Sequence, residues 1–206
     1  MTALESLVHT IYNVPELVRL VGQYGLPLII YAETGLLIGF FLPGDSLLIT
    51  AGLFAARGDL DITVLIATLT PAAILGNATG YFIGHRTGQA LYQRPDSLLF
   101  RREHLRMTQE YYQRHGGKTI VMAQFAPILR TFAPVVAGVA QMGYRSFATY
   151  NVAGAIAWIV SMTMLGYLLG NVIPGIDKRI DLLVMVIIVV SLGPAAVAWL
   201  RSRRAS

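Results

Sequence analysis

Long apolar runs separated by short polar segments define the pattern of the chain. Residues 62–84, 147–173 and 181–200 each reach the length of about 20 apolar residues that a membrane-spanning helix needs. Residues 26–42 and 119–140 are also long and apolar, but charged residues and helix breakers interrupt them. The pattern predicts an all-α integral membrane protein with about three full transmembrane helices and two interrupted segments.

The placement of charges predicts the topology of the second interrupted segment. Residues 86–118 carry seven basic and three acidic side chains, and residues 201–206 carry three arginines and no acid. Such basic segments face the cytoplasm. Both face the same side only if residues 119–140 enter the membrane and return. This segment is therefore predicted to be a re-entrant hairpin.

The same argument applies upstream. Residues 57–61 carry a net charge of −1 and are predicted to lie outside. Residues 26–56 then form a second hairpin of opposite orientation, although 26–42 as a true span stays open as an alternative. Two opposed hairpins, each followed by a span, form an inverted repeat of the kind that binds substrate near the membrane midplane.

Three segments follow from this topology. Residues 1–25 are predicted to form an interfacial N-terminal helix, and residues 26–173 the membrane core. Residues 174–206 are predicted to form a C-terminal transmembrane helix with a basic tail, and the basic loop and the C-terminus face the cytoplasm. The side of the N-terminus stays open, and no cleavable signal peptide is expected.

Composition narrows the class of protein. Only 13% of the 206 residues are charged, against about 25% in soluble domains. The net charge of +5 lies at the ends of apolar runs, which indicates anionic lipid headgroups and not nucleic acid. Without cysteine there is no disulfide and no thiolate metal site. No catalytic motif, metal site or cofactor is predicted, and the protein is not expected to be an enzyme.

Glu33 is the first candidate for chemistry. It lies inside an apolar run, where a carboxylate at the bilayer centre costs about 2.5–3.5 kcal/mol on insertion scales. The functional interpretation is a buried carboxylate that couples transport to protons or ions. The alternative is a side chain that snorkels to a nearby interface.

A turn with the sequence Pro43-Gly44 precedes Asp45 and Ser46, either of which can cap the helix that follows. The first backbone N–H groups of that helix can bind an anion. An ordinary N-cap without further function is the alternative.

Arg130 lies between Pro127 and Pro134 in the second interrupted segment. Arginine is permanently charged and binds phosphate with two parallel hydrogen bonds. The alternative is a structural ion pair with Glu33 or Asp45.

Glycines at every fourth position predict a helix face for close packing. They are Gly76, Gly80, Gly84 and Gly88. Asn77, beside this face, is expected to bond a neighbouring helix more readily than a substrate.

Taken together, these residues resemble the DedA family, also called the VTT or SNARE-associated membrane protein family. The resemblance extends from Glu33 to Trp158 and depends on the order and spacing of short pieces. The pieces are Glu33, residues 41–46, residues 76–88, Phe125, Pro127, Arg130, Pro134, Ala137, Gly138, Phe147, Asn151, Gly154 and Trp158.

The resemblance implies a bacterial inner-membrane protein with two opposed re-entrant hairpins. Some relatives move undecaprenyl phosphate or phospholipid between leaflets as flippases, some depend on the proton-motive force, and eukaryotic relatives resemble lipid scramblases. Glu33 and Asp45 match the functional acidic pair of the family, and Arg130 matches its second arginine. Gln124 stands where the first arginine is expected, and Asn77 where many relatives carry an acid.

The resulting hypothesis is a transporter of lipid-phosphate headgroups. Arg130 and the N–H groups after Asp45 bind the phosphate, and Glu33 and Asp45 take up protons. Expected partners are phosphate-bearing membrane lipids, polyprenyl phosphate included, and protons; the oligomeric state stays open, a homo-oligomer included. The alternatives are a proton-coupled exporter of small solutes, a lipid-phosphate enzyme and a scaffold with an ion-paired core.

Overall fold

The computed structural model describes residues 14–36, 44–92 and 117–172, with the backbone alone at residues 89–92 and 128. These parts of the chain contain helices and no strand. The helices are α1 (Val14–Gly35), α2 (Gly44–Ala56), α3 (Ile62–Tyr92), α4 (Lys118–Ala123), α5 (Pro127–Val139) and α6 (Tyr144–Val172). The predicted all-α fold is confirmed for the described residues.

Two of the described helices are long and apolar enough to cross a membrane. They are Ile62–Gly88, with 27 residues of α3, and Tyr144–Val172, with the 29 residues of α6. They correspond to the predicted spans 62–84 and 147–173. The third predicted span, 181–200, lies outside the described residues.

The chain forms two compact units, each assembled from separate stretches of sequence. The described part of the first unit comprises residues 14–26, 44–68 and 159–172. That of the second unit comprises residues 27–36, 69–92 and 117–158.

In the first unit, every residue of α2 from Gly44 to Ala55 is buried. A helix that is apolar all round belongs in an interior. Glycines let α2 and α6 approach at backbone contact. A Cβ on Gly52 would lie 2.0 Å from the carbonyl oxygen of Thr163, and one on Gly166 would lie 1.9 Å from that of Ile49.

In the second unit, α3 and α5 approach equally closely. A Cβ on Gly84 would lie 2.0 Å from the carbonyl oxygen of Val135, and one on Gly138 would lie 2.1 Å from that of Tyr81. The Tyr81 ring stacks on Phe147 at 4.5 Å between centroids, and its hydroxyl donates to the Met142 carbonyl. The second unit therefore has glycine-mediated helix contacts and an aromatic core.

The predicted interruption within residues 119–140 lies at residues 124–126, between α4 and α5. Ala126 is extended (φ −116°, ψ 110°) because the residue before a proline avoids the helical region. Pro127 then starts α5, where its missing N–H costs no hydrogen bond. Pro134 lies inside α5 without ending it, so Pro127 alone accounts for the break.

We expect Gly84→Ala to lower the free energy of unfolding by about 2 kcal/mol or more, because the new methyl group forces α3 away from α5. Thermal unfolding of the purified protein in detergent measures the change. Gly143→Ala is the matched control, since a Cβ there meets no atom within 4 Å. Equal stability of the two variants would contradict the close α3–α5 contact.

Candidate functional site

A buried ion pair joins α1 and α5 in the second unit. Nη2 of Arg130 lies 2.6 Å from Oε1 of Glu33. The two side chains are 3% and 2% exposed. Two ions removed from water in this way are stable only when close contact and hydrogen bonds offset their desolvation. Among the described residues of this unit, Glu33 and Arg130 are the charged side chains that are buried, and their opposite charges cancel.

The break between α4 and α5 positions the arginine. Arg130 lies in the first turn of α5, three residues after Pro127, and its backbone N–H donates to the carbonyl of Ala126 at 2.8 Å. Its Nη1 donates to the carbonyl of Gln124, which lies in the break, at 3.3 Å. The interruption therefore supplies a backbone acceptor to the guanidinium group.

An aromatic ring covers the guanidinium group. Cζ of Arg130 lies 4.1 Å from the centroid of Trp158, which is fully buried on α6. A desolvated cation–π contact of this kind contributes about 2 kcal/mol. Trp158 therefore stabilises the charged form of Arg130 in a place where water cannot solvate it.

Neutral amides extend the polar site along α6. Nδ2 of Asn77, on α3, donates to Oδ1 of Asn151 at 2.8 Å. Nδ2 of Asn151 in turn donates to the carbonyl of Ile74 at 3.0 Å. The side chain of Gln124 packs against Gly154 of α6. A Cβ on that glycine would lie 3.0 Å from Cγ of Gln124.

The polar and aromatic contacts to α6 fall on one face of that helix. Asn151, Gly154 and Trp158 are separated by three and four residues, which places them in consecutive turns of the same face. Asn77 contacts this face at Asn151, Gln124 contacts it at Gly154, and Arg130 contacts it at Trp158. The second unit therefore encloses a polar row of buried side chains, which are Asn77, Asn151, Gln124, Arg130 and its partner Glu33.

The other predicted site residues lie in the first unit. Asp45 and Ser46 are buried in the first turn of α2, which Gly44 begins. An acidic side chain at this position interacts favourably with the positive end of the helix dipole. Pro43 lies outside the described residues.

The sequence left Glu33 and Asp45 as alternative partners of Arg130, and the structure pairs Arg130 with Glu33. It brings Glu33, Gln124 and Arg130 together in one unit. The contacts of Trp158 and Asn151 were not predicted. The signal in the sequence that points to them is the amide of Asn151 inside an apolar run, seven residues before Trp158.

No metal centre is formed in the ranges that the structure describes, where no three histidine, aspartate or glutamate side chains gather. The polar row can bind an anion through Arg130, accept a proton on Glu33 and form hydrogen bonds through its amides.

Comparisons with known proteins identify the family. The VTT domain matches residues 42–168, more than half of the chain. Protein DedA of Escherichia coli (strain K12) is 45% identical over 198 residues, which covers 92% of this chain and 90% of that protein. The chain belongs to the DedA family. The resemblance noted from the sequence is thereby confirmed.

Other members of the DedA family support a membrane location. A membrane protein of Mycobacterium leprae (strain TN) is 41% identical, covering 82% of this chain and 76% of its own. Inner membrane protein YqjA of Escherichia coli (strain K12) is 32% identical, covering 69% of this chain and 65% of its own. No solved structure matches the chain significantly. The protein is a membrane protein of the DedA family, in agreement with the two membrane-length helices.

We expect Glu33→Gln and Arg130→Gln each to lower the free energy of unfolding by about 3 kcal/mol, because each leaves one buried charge without its counter-ion. The double variant should lose much less than the sum of the two, since no uncompensated charge remains. Thermal unfolding of all four proteins gives the coupling.

The pair Arg57 and Asp59 is the control, since its atoms lie 3.6 Å apart and its side chains are 34% and 55% exposed. Substituting either residue should change stability by less than about 1 kcal/mol. A coupling between Glu33 and Arg130 no larger than that of the exposed pair would contradict the buried ion pair.

Proposed function

We propose that the protein moves a phosphate-bearing lipid, undecaprenyl phosphate or a phospholipid, between the leaflets of the bacterial inner membrane. It acts as a flippase or scramblase linked to the proton-motive force, and not as an enzyme. The observation that carries the proposal is the ion pair of Glu33 and Arg130, buried inside a membrane protein. Ionisable residues at membrane depth are costly, and they usually mark a substrate or proton path.

Arg130 is the proposed phosphate ligand. Its charge is permanent, and its planar fork matches two phosphate oxygens at once. The acyl or prenyl chains stay in lipid, so only the headgroup needs a polar path. Gln124 is neutral. Among the described residues of this polar row, the permanent positive charge is therefore that of Arg130.

Glu33 is the proposed proton acceptor. While Glu33 is ionised, it occupies Arg130 at 2.6 Å and competes with phosphate. Protonation of Glu33 removes that competition, so a proton and a phosphate bind together. Loss of the proton restores the ion pair and releases the phosphate. The sign of this linkage makes phosphate binding stronger as the pH falls.

Asp45 is the second proposed proton acceptor. In the first unit it is buried within the first turn of α2, beside Ser46.

Helix lengths support the proposed topology of opposed re-entrant hairpins. The 6 residues of α4 and the 13 of α5 correspond to about 9 Å and 20 Å, whereas the hydrocarbon core is about 30 Å thick. The 13 residues of α2 are equally short. With residues 181–200 as a third span, we propose that the basic loop and the C-terminus face the cytoplasm.

The exposed face of the second hairpin supports its contact with lipid. Met122, Phe125, Leu129 and Phe132 are all exposed, and their spacing of three to four residues continues across the break. Large apolar side chains on the outside of a membrane protein face acyl chains. Arg130, on the same segment, is buried, so the hairpin separates a lipid-facing side from a polar interior.

The satisfied ion pair also favours a second candidate, a scaffold whose charged core is structural. The two candidates differ in what folded variants do. A scaffold variant that folds keeps its function, whereas a transporter variant that folds loses lipid movement.

We expect Arg130→Ala, reconstituted in proteoliposomes at matched folded amounts, to move fluorescent phospholipid or undecaprenyl phosphate about 10- to 100-fold more slowly than wild type. An effect of this size corresponds to the loss of the charge-assisted contact between arginine and phosphate. Glu33→Gln should lose the response to an imposed pH gradient. Arg57→Ala is the matched control and should behave as wild type.

Lipid movement by folded Arg130→Ala at the wild-type rate would mean that the ion pair is structural and that Arg130 is not the phosphate ligand. Absence of movement by the wild type under every gradient would overturn the transport proposal and leave export of a small solute as the alternative.

A further inference from the structure

Two amide oxygens in the second unit are fully buried and lack a hydrogen-bond partner among the described residues. They are Oδ1 of Asn77 and Oε1 of Gln124, on side chains that are 0% and 1% exposed. A buried acceptor without a partner is costly, so such groups usually mark the place of a ligand or an ordered water.

The orientation of the Asn77 amide is fixed by its neighbours. Asn151 donates through Nδ2 to the carbonyl of Ile74, so its Oδ1 faces Asn77. Asn77 must then present Nδ2 to Asn151, and its own Oδ1 is the group left over. Exchanging the oxygen and nitrogen of Asn77 would place two oxygens against each other. Asn77 therefore offers an acceptor and not a donor.

Both amides lie on the same face of α6, one turn apart. Asn77 bonds Asn151, and Gln124 packs against Gly154, three residues and about 4.5 Å further along the helix. The backbone carbonyl of Gln124 also accepts from Arg130. Asn77, Gln124 and Arg130 therefore pack against successive positions on one face of α6, at Asn151, Gly154 and Trp158.

The chemistry of the missing partner follows from these contacts. Amide oxygens only accept hydrogen bonds, and so do ionised phosphate oxygens, so a phosphate cannot satisfy them. A bare metal cation is disfavoured beside the guanidinium group of Arg130. The group that fits is therefore an O–H or N–H donor.

We propose that Asn77 and Gln124 form an acceptor subsite for the O–H or N–H donor of a phospholipid headgroup while its phosphate binds Arg130. The subsite rests on the proposed function and narrows its substrate class to phospholipids whose headgroup carries a donor beyond the phosphate. It makes Asn77 a specificity-determining residue.

Two pairs of short-chain lipids test the subsite, because the members of each pair carry the same charge and only one member has hydrogen-bond donors in its headgroup. Phosphatidylglycerol has hydroxyl donors that phosphatidylmethanol lacks, and phosphatidylethanolamine has N–H donors that phosphatidylcholine lacks. Each lipid is titrated into the purified full-length protein in detergent, and the rise in unfolding temperature gives its affinity. We expect the donor-bearing member to bind about tenfold more tightly, the effect of one hydrogen bond.

Substitutions test which side chains cause the preference for donor-bearing lipids. Asn77→Leu should remove it, and so should Asn77→Leu combined with Asn151→Leu, which replaces both bonded amides and leaves neither without its partner. The double variant keeps the test valid if the single variant does not fold. Gln124→Leu should weaken the preference independently. Asn171→Leu is the matched control, because Asn171 is exposed and bonds the carbonyl of Tyr167 on the same helix.

The outcomes separate this inference from the proposed function. Equal binding within both lipid pairs means that only water occupies the oxygens, and it overturns the subsite even if lipid is transported. A tenfold preference that persists in the folded double variant also overturns it. Preference lost with Asn77, in a protein that moves no lipid, upholds the subsite and overturns transport. Absence of binding by all four lipids overturns the subsite and leaves undecaprenyl phosphate as the substrate of the proposed function.

Discussion

The ion pair of Glu33 and Arg130 requires three other features of the second unit. A guanidinium group and a carboxylate leave water only if they meet each other and find further polar contacts. The break at residues 124–126 provides the carbonyl that Arg130 also bonds, and Trp158 covers its face. Close approach of α1 brings Glu33 within 2.6 Å. Removal of any one of these features leaves a charge in an apolar core without adequate compensation.

Glycine residues let the helices approach closely enough to form this polar interior. Gly76 lies against α1, where a Cβ would come 2.0 Å from Oγ1 of Thr34, the residue after Glu33. Gly84 and Gly138 bring α3 and α5 to backbone contact. Helices in lipid associate through such small residues because apolar burial alone does not distinguish a neighbouring helix from acyl chains. The same packing that holds the helices together therefore places Asn77 and Glu33 beside the polar row.

An ion pair with no net charge suits the proposed transport better than a lone charged side chain. A lone arginine would bind phosphate strongly at every pH and would release it slowly, whereas a competing carboxylate gives the site a second state. A ligand can only shift an equilibrium by its differential affinity for two states, and in the proposed function the proton on Glu33 supplies that difference. In the proposed subsite, the neighbouring amides add hydrogen-bonding selectivity without adding charge. Membership in the DedA family agrees with such a site but does not specify the lipid.

The sequence by itself determined the helical class, the two spans now seen as α3 and α6, and the family, because apolar length and local breakers such as Pro127 act within a few residues. It also singled out Glu33, Gln124 and Arg130, since charge and polarity inside an apolar run are conspicuous. Only the tertiary structure decided that Arg130 pairs with Glu33, 97 residues away, and that Trp158 and Asn151 face the site. Partner choice depends on which helix faces meet, and that is set by packing between distant segments, which no local pattern encodes.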